Sequence, residues 1–132
     1  MTDRMPDDPV GDPLSPAGLT AFVLDLNGAE ETYPFGPEAR VFKVAGKVFA
    51  IDNTPVHRSL AEPTVSVTVK ALPENVPRLI RSVPGIDPGY HMSKKHWVTV
   101  DLSLELPEGL LEELIEDSYD LIVDRLPARD RP

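Results

Sequence analysis

The 132-residue sequence contains no cysteine, which excludes disulfide bonds and thiolate metal ligands. It also lacks an apolar run near the roughly 20 residues that a membrane-spanning helix needs. Residues 1–13, MTDRMPDDPVGDP, have no apolar centre, which argues against a signal peptide. These absences together predict a cytoplasmic protein that folds without disulfides and does not enter a membrane.

Basic residues are also scarce, with 13 of them against 22 acidic residues and a net charge of −9. This balance argues against non-specific attraction to nucleic acids or anionic membranes. The charge is uneven, however: residues 1–32 and 103–132 each carry −6, whereas residues 33–102 carry +3. Residues 33–102 can therefore form a mildly basic surface. The alternative is that both ends are solvated faces and the middle is merely average.

Length and patterning predict one folded unit. Residues 1–14 are expected to form a disordered, acidic and proline-rich tail, residues 15–127 a single domain, and residues 128–132 a second disordered tail. Within the domain, apolar spacings of three and four predict helices and alternating apolar residues predict strands. The predicted helices are 15–27, 75–82 and 107–126, and the predicted strands are 39–44, 47–52, 65–70 and 96–102.

This order predicts an α+β fold, a two-layer sandwich in which helices cover one face of an antiparallel sheet of four or five strands. The elements run helix, three strands, helix, one or two strands, helix. The last helix is expected to pack through Leu111, Ile115 and Ile122. Ala45 and Gly46 predict a tight hairpin, and because alanine is poor at positive φ we expect a type I turn with a glycine bulge.

Alternation assigns the two faces of the sheet. The residues expected to face the helices are Phe42, Val44, Phe49, Ile51, Val65, Val67, Val69, Val98 and Val100. The opposite set mixes small residues, lysines and one aromatic: Val41, Lys43, Val48, Ala50, Ser66, Thr68, Lys70, Trp97 and Thr99. We expect that second face to be an open sheet surface available to a ligand or partner. Lys47–Asp52 is apolar on both faces, so a one-residue error of phase stays open there.

The stretch Gly85–Asp101, GIDPGYHMSKKHWVTVD, is the densest polar and aromatic cluster of the sequence. Aromatic rings beside cations stack on bases and pair with phosphates in nucleic-acid interfaces. The alternative is that the tryptophan packs in the core and the lysines only aid solubility. The candidate nucleic-acid or ligand contacts are Lys43, Lys47, Lys70, Tyr90, His91, Lys94, Lys95, His96 and Trp97.

Catalytic and metal signatures are weak. His91 and His96 do not match zinc spacing, so no metal and no cofactor are predicted. Ser118 lacks a nucleophile elbow and is expected to be a buried hydroxyl bonded to a carbonyl. The acidic run 112–124 is expected to be the solvated side of the last helix. No catalytic residue is therefore predicted.

Three segments carry a resemblance to a known family: YPFGPEARVFKVAGKVFA (33–50), PGYHMSKKHWVTVDL (88–102) and SYDLIVDRLP (118–127). Together they resemble the MmcQ/YjbR family over roughly residues 15–127. The resemblance implies a fold like that of CyaY and secretion chaperones, and a DNA-binding role with a double-wing arrangement. Ser93 stands where that family usually has asparagine, and a serine would reproduce only part of an asparagine's hydrogen bonding.

Three functions remain open from the sequence. The first is a small non-enzymatic domain that binds DNA weakly and in a salt-dependent way. The second is a protein-interaction module, similar to a chaperone or adaptor, that uses the open face or the edge of the sheet. The third is an enzyme with an unrecognised site. A monomer or weak dimer is expected.

Overall fold

The fold is seen in a computed structural model that describes residues 16–34, 40–52, 66–89, 93–102, 104 and 106–132. Three α-helices and six β-strands lie within this described part. The helices are α1 (Pro16–Leu24), α2 (Val76–Ser82) and α3 (Leu110–Val123). The strands are β1 (Ala29–Thr32), β2 (Arg40–Val44), β3 (Lys47–Asp52), β4 (Ser66–Lys70), β5 (Ile86–Pro88) and β6 (Trp97–Asp101). The predicted tail 1–14 lies outside the described residues.

The six strands form one antiparallel sheet in the order β1-β2-β3-β4-β6-β5. The predicted α+β class with an antiparallel sheet is confirmed, but the predicted count of four or five strands is too low. Both missed strands are edges: β1 is the short polar segment AEET, and β5 includes Pro88 from a predicted turn. Short edge strands, and a proline at the edge, lack the apolar alternation that identifies inner strands.

The helices pack against one face of this sheet, with α3 lying across β2, β3 and β4. Leu111, Ile115 and Ile122 are buried, which confirms the predicted packing face of the last helix. The regular helix begins three residues after Pro107, because Gly109 before it has a left-handed φ of 80°. Leu19 and Val23 of α1 join the same core.

A bulge in the β2–β3 pairing changes the predicted faces. The register shifts between Phe42 and Lys43, and Phe49 and Ala50 are both fully buried. Ala50 pairs with Phe42 and so shares its face, whereas Ile51 pairs with Val41 on the opposite face. The predicted directions of Ala50 and Ile51 are therefore wrong, because an extra residue in a strand inverts every side chain beyond it.

The hairpin between β2 and β3 also differs from the prediction. Ala45 has a φ of 50° and Gly46 a φ of 78°, so both central residues are left-handed. Two positive φ angles identify a type I′ turn rather than the predicted type I turn with a bulge. The twist of the paired strands favours the primed turn strongly enough to hold an alanine in a conformation that it adopts poorly.

The face of the sheet opposite the helices is closed at its centre. Val41, Ser66 and Thr68 are at most 2% exposed. Thr68 and Thr99 lie side by side in the β4–β6 register and share a hydrogen bond of 2.8 Å between their hydroxyls. The expectation of an open sheet face is therefore wrong at these positions, where the side chains expose almost no surface to a ligand.

The C-terminal residues 128–132, for which the sequence predicts a disordered tail, make hydrogen bonds to the residues that follow α3. Ala128–Asp130 form a 3₁₀ turn. The guanidinium of Arg131 donates from Nε to the Leu126 carbonyl at 3.0 Å and from Nη2 to the Asp124 carbonyl at 3.1 Å. These bonds satisfy carbonyls that the end of α3 leaves without partners.

Candidate functional site

The five candidate lysines lie at one end of the sheet, which we call the lysine end: Lys43, Lys47, Lys70, Lys94 and Lys95. Strands β2 and β4 finish at this end, and β3 and β6 begin there, because each is antiparallel to its neighbour. Lys43 and Lys47 flank the hairpin, and Lys70 is the last residue of β4. From β2 to β6 the strand spacings add to roughly 14 Å. Chain topology thus gathers lysines that are up to 52 positions apart in the sequence.

Lys94 and Lys95 project from the turn that leads into β6, and both are exposed. The turn is closed by the Ser93 carbonyl, which accepts hydrogen bonds from the backbone amides of His96 at 3.2 Å and Trp97 at 3.0 Å. The His96 carbonyl accepts from the Ala71 amide at 2.8 Å, which fastens the turn to the end of β4. The two lysines are therefore held on a supported loop. Tyr90 and His91 lie outside the described residues.

Trp97 is half-buried, and in the β4–β6 register it lies directly opposite Lys70. It does not belong to the hydrophobic core cluster among the described residues. The chain beside it is close: the Gly89 amide donates to the Trp97 carbonyl at 2.9 Å, and a Cβ at Gly89 would lie 2.6 Å from the Trp97 Cβ. Trp97 is thus a partly accessible aromatic beside a lysine, in a position fixed by the sheet.

Among the described residues, no lysine of the lysine end takes part in an ion pair. Both ion pairs between described residues belong to Arg40, at the opposite end of the sheet. Lys94 donates weakly to the Gly89 carbonyl at 3.4 Å, and Lys43 lies opposite Glu30 in the β1–β2 register. Partial burial, and after it the positive charge of Arg125, lower the pKa of Lys70. An anion placed here would relieve the repulsion between these cations.

Ser118 has a structural role, and His96 belongs to no metal-binding group among the described residues. Ser118 is fully buried and donates to the Phe49 carbonyl at 2.5 Å, which confirms the prediction of a structural hydroxyl. His96 is half-buried in the turn before β6. Within the described ranges no three His, Asp or Glu side chains approach closely enough to hold a metal ion.

A second surface, missed in the sequence, is a groove of about 320 Å³ between α2, α3 and the end of β4. We call it the α2–α3 groove. Four of the six acidic residues expected on the solvated side of α3 line it: Glu113, Asp117, Asp120 and Asp124. Its other lining residues are Lys70, Ala71, Leu72, Asn75, Arg78, Leu79, Leu110, Leu114 and Leu121. The signal in the sequence was a stripe of acids at helical spacing beside a stripe of leucines, which by itself also fits an ordinary solvated helix.

The sheet edges offer little to a strand-adding partner. The edge strand β1 has four residues, of which Glu30 and Glu31 are acidic, and β5 has three residues including Pro88. Short, charged or proline-bearing edges disfavour the addition of another strand. The described helices include no segment long and apolar enough to cross a bilayer.

Fold and sequence together define the class, a small α+β domain of the YjbR type. A family model with the description YjbR matches residues 24–121. The chain belongs to the YjbR family, which confirms the resemblance drawn from its three motifs.

Relatives support this assignment. The chain is 40% identical over 108 residues to the uncharacterized protein YbdF of Escherichia coli O157:H7, covering 82% of this chain and 84% of that one. It is 30% identical over 113 residues to the uncharacterized protein YjbR of Escherichia coli K12, covering 86% and 91%. The crystal structure of Deinococcus radiodurans protein DR2400, with a DUF419 domain, matches with a TM-score of 0.74 and 33% identity over 85% of this chain and 81% of that one. A Pseudomonas syringae protein matches with a TM-score of 0.67 and 27% identity over 81% and 97%.

Proposed function

We propose that this domain is a non-enzymatic DNA-binding protein of the cytoplasm whose contact surface is the lysine end of the sheet. The observation that carries the proposal is the convergence of Lys43, Lys47, Lys70, Lys94 and Lys95 at one end of a single sheet. Cations grouped in this way neutralise successive phosphates of a nucleic-acid backbone. Trp97, half-buried between the turn and Lys70, supplies a ring face for stacking.

The charge distribution supports a defined orientation on DNA. The carboxylates of α3 belong to the helix layer, and four of them line the α2–α3 groove, which includes Lys70 but not the other four lysines of the lysine end. Because the chain as a whole is strongly acidic, binding is expected to be weak and to fall steeply with salt. His96 contributes as a hydrogen-bonding side chain beside the same turn.

The test is fluorescence anisotropy with a labelled duplex at two ionic strengths. The double variant Lys94→Glu/Lys95→Glu is expected to abolish binding without lowering the melting temperature, because exposed charges contribute little to stability. The matched control is Arg78→Glu/Arg81→Glu, which makes the same charge change on exposed residues of α2. In the milder Lys94→Gln/Lys95→Gln variant, the salt slope is expected to decrease by up to about 1.8.

Two results would count against this function. Absence of binding by the wild type at low salt would favour the protein-interaction function instead. Equal loss in the lysine and arginine variants would mean that net charge, and not the lysine end, governs binding.

A further inference from the structure

The α2–α3 groove combines an apolar floor with one strongly acidic wall. Leu114 is buried, Leu79, Leu110 and Leu121 are half-buried, and Leu72 is 39% exposed. The acidic wall consists of Glu113, Asp117, Asp120 and Asp124, all of which are exposed. None of these nine side chains belongs to the lysine end, and the two surfaces share only Lys70. A surface of this kind is complementary to a ligand that is apolar on one side and basic beside it.

We propose that this groove binds an amphipathic, basic helical segment of a partner protein. The four carboxylates occupy positions i, i+4, i+7 and i+11, the first three on α3 and the last at its C-cap, so they follow one line of roughly 16 Å. A partner helix that lies alongside presents lysine or arginine with the same repeat. Its apolar face then covers the leucines, as in other complexes in which a helix fills a groove.

The acidic wall is available for such pairing. Both ion pairs between described residues join Arg40 to Glu31 or Asp52, so neither involves the acidic wall. Burial, followed by the negative charges of Glu113 and Asp120, raises the pKa of Asp117. The wall therefore accumulates like charge that a cationic partner would neutralise.

Charge also orients the partner and limits which segment fits. Lys70 on β4 and Arg78 on α2 also line the groove, whereas its carboxylates are carried by α3 and the residue after it, so the basic flank of the partner must lie toward α3. The chain's own N-terminal segment, residues 1–32, carries −6 and is a poor occupant of an acidic groove. Another source of cations is the lysine end of a second copy of this chain, which the experiment must distinguish from a helix of a different protein.

The probe is a labelled peptide of leucine and lysine with helical amphipathic spacing, and its binding is measured by fluorescence anisotropy. Two control peptides are used, one with the same composition in scrambled order and one with glutamate in place of lysine. Wild-type protein is expected to bind the first peptide and neither control. Absence of binding, or equal binding of the scrambled peptide, overturns the proposal.

Matched variants of the protein test the position of the site. Asp117→Asn/Asp120→Asn is expected to weaken peptide binding at least about tenfold. Glu112→Gln/Glu116→Gln, an identical charge change on α3 outside the groove, is expected to change it less than about twofold. Equal weakening by both pairs would show diffuse attraction to an acidic helix and would overturn the proposal.

A second pair of variants tests the apolar floor. Leu72→Gln in the groove is expected to weaken binding, whereas Leu24→Gln on α1 is not, although the two leucines are 39% and 40% exposed. Unfolding curves of all variants establish that each is folded. The wild type could instead dimerise in a concentration-dependent way that Asp117→Asn/Asp120→Asn abolishes. That result would identify the occupant of the groove as a second copy and would overturn the proposal.

Discussion

The hydroxyl of Ser118 in α3 donates a hydrogen bond of 2.5 Å to the backbone carbonyl of Phe49 in β3. The same oxygen accepts a hydrogen bond of 2.8 Å from the backbone amide of Lys70 in β4. Phe49 and Lys70 are the neighbours in sequence of Ala50 and Val69, which form the last pair of the β3–β4 ladder at the lysine end. The helix side chain therefore takes the place of a ladder bond next to the bulge and fixes α3 onto the sheet.

Ser118→Ala is expected to lower the free energy of unfolding by about 2–4 kcal/mol, because a buried carbonyl and a buried amide both lose their partner. Chemical denaturation measures the change. Ser82→Ala, at an exposed site on α2, is the control and is expected to stay within about 0.5 kcal/mol of wild type. A Ser118→Ala protein as stable as the control would mean that the backbone closes the gap without the hydroxyl.

Arg40 holds the opposite end of the sheet together through a buried ion pair. Its Nη2 lies 2.5 Å from Oδ2 of Asp52, which is 2% exposed, and its Nη1 lies 3.1 Å from Oε2 of Glu31. Arg40→Met is expected to cost about 3–5 kcal/mol in denaturation experiments, because the Asp52 carboxylate stays buried without its guanidinium.

The double variant Arg40→Met/Asp52→Leu separates two contributions to the free energy of unfolding. One is the cost of leaving the Asp52 carboxylate without its guanidinium, and the other is the net stabilisation by the ion pair. It is expected to recover most of the lost stability, since apolar replacements of buried ion pairs are often neutral. Arg81→Met on α2, an exposed site, is the control for the loss of one arginine. No recovery in the double variant would show that the ion pair itself stabilises the fold.

Ala45 is a site where one substitution is expected to increase stability. Its φ of 50° suits asparagine better than alanine, and Asn-Gly is a preferred sequence for a type I′ hairpin. Ala45→Asn is expected to add about 0.5–1 kcal/mol and to raise the melting temperature by a few degrees. Ala45→Val is expected to do the reverse, because branching at Cβ is strained at positive φ. A stabilising valine would contradict the turn assigned here.

Asp117 gives stability a defined pH dependence. Its pKa in the folded protein is raised, so the folded state holds the proton more tightly than the unfolded chain does. The stability linked to this proton is fully present below the unfolded pKa and is lost as pH rises through the folded pKa. Asp117→Asn should therefore raise the melting temperature at pH 7 and raise it less at pH 3. Glu116→Gln is the control, and an equal gain at both pH values would exclude the linkage.

The sequence was sufficient for the elements whose residues repeat regularly. The predicted strands 65–70 and 96–102 lie within one residue of β4 and β6, and Leu111, Ile115 and Ile122 were predicted as the packing face of α3. In such segments the same side-chain period that favours the element also fills the core. The edges were missed because AEET in β1 and Ile86–Pro88 in β5 are held by pairing with a neighbour and not by a pattern of their own.

Composition, charge balance and the three family motifs also came from the sequence alone, because they are properties of residue order. Only the tertiary structure decided where the lysines meet, since convergence depends on which strand ends coincide. The tertiary structure also determined that Ala50 faces the core, because a bulge that no local sequence pattern predicts shifts the register of β3. The carboxylates from Glu113 to Asp124 became the wall of a groove only when α2 and β4 packed beside α3. The spacing of apolar residues along the chain determines which face of a helix or strand a side chain lies on, whereas the residues that it contacts there depend on long-range pairing.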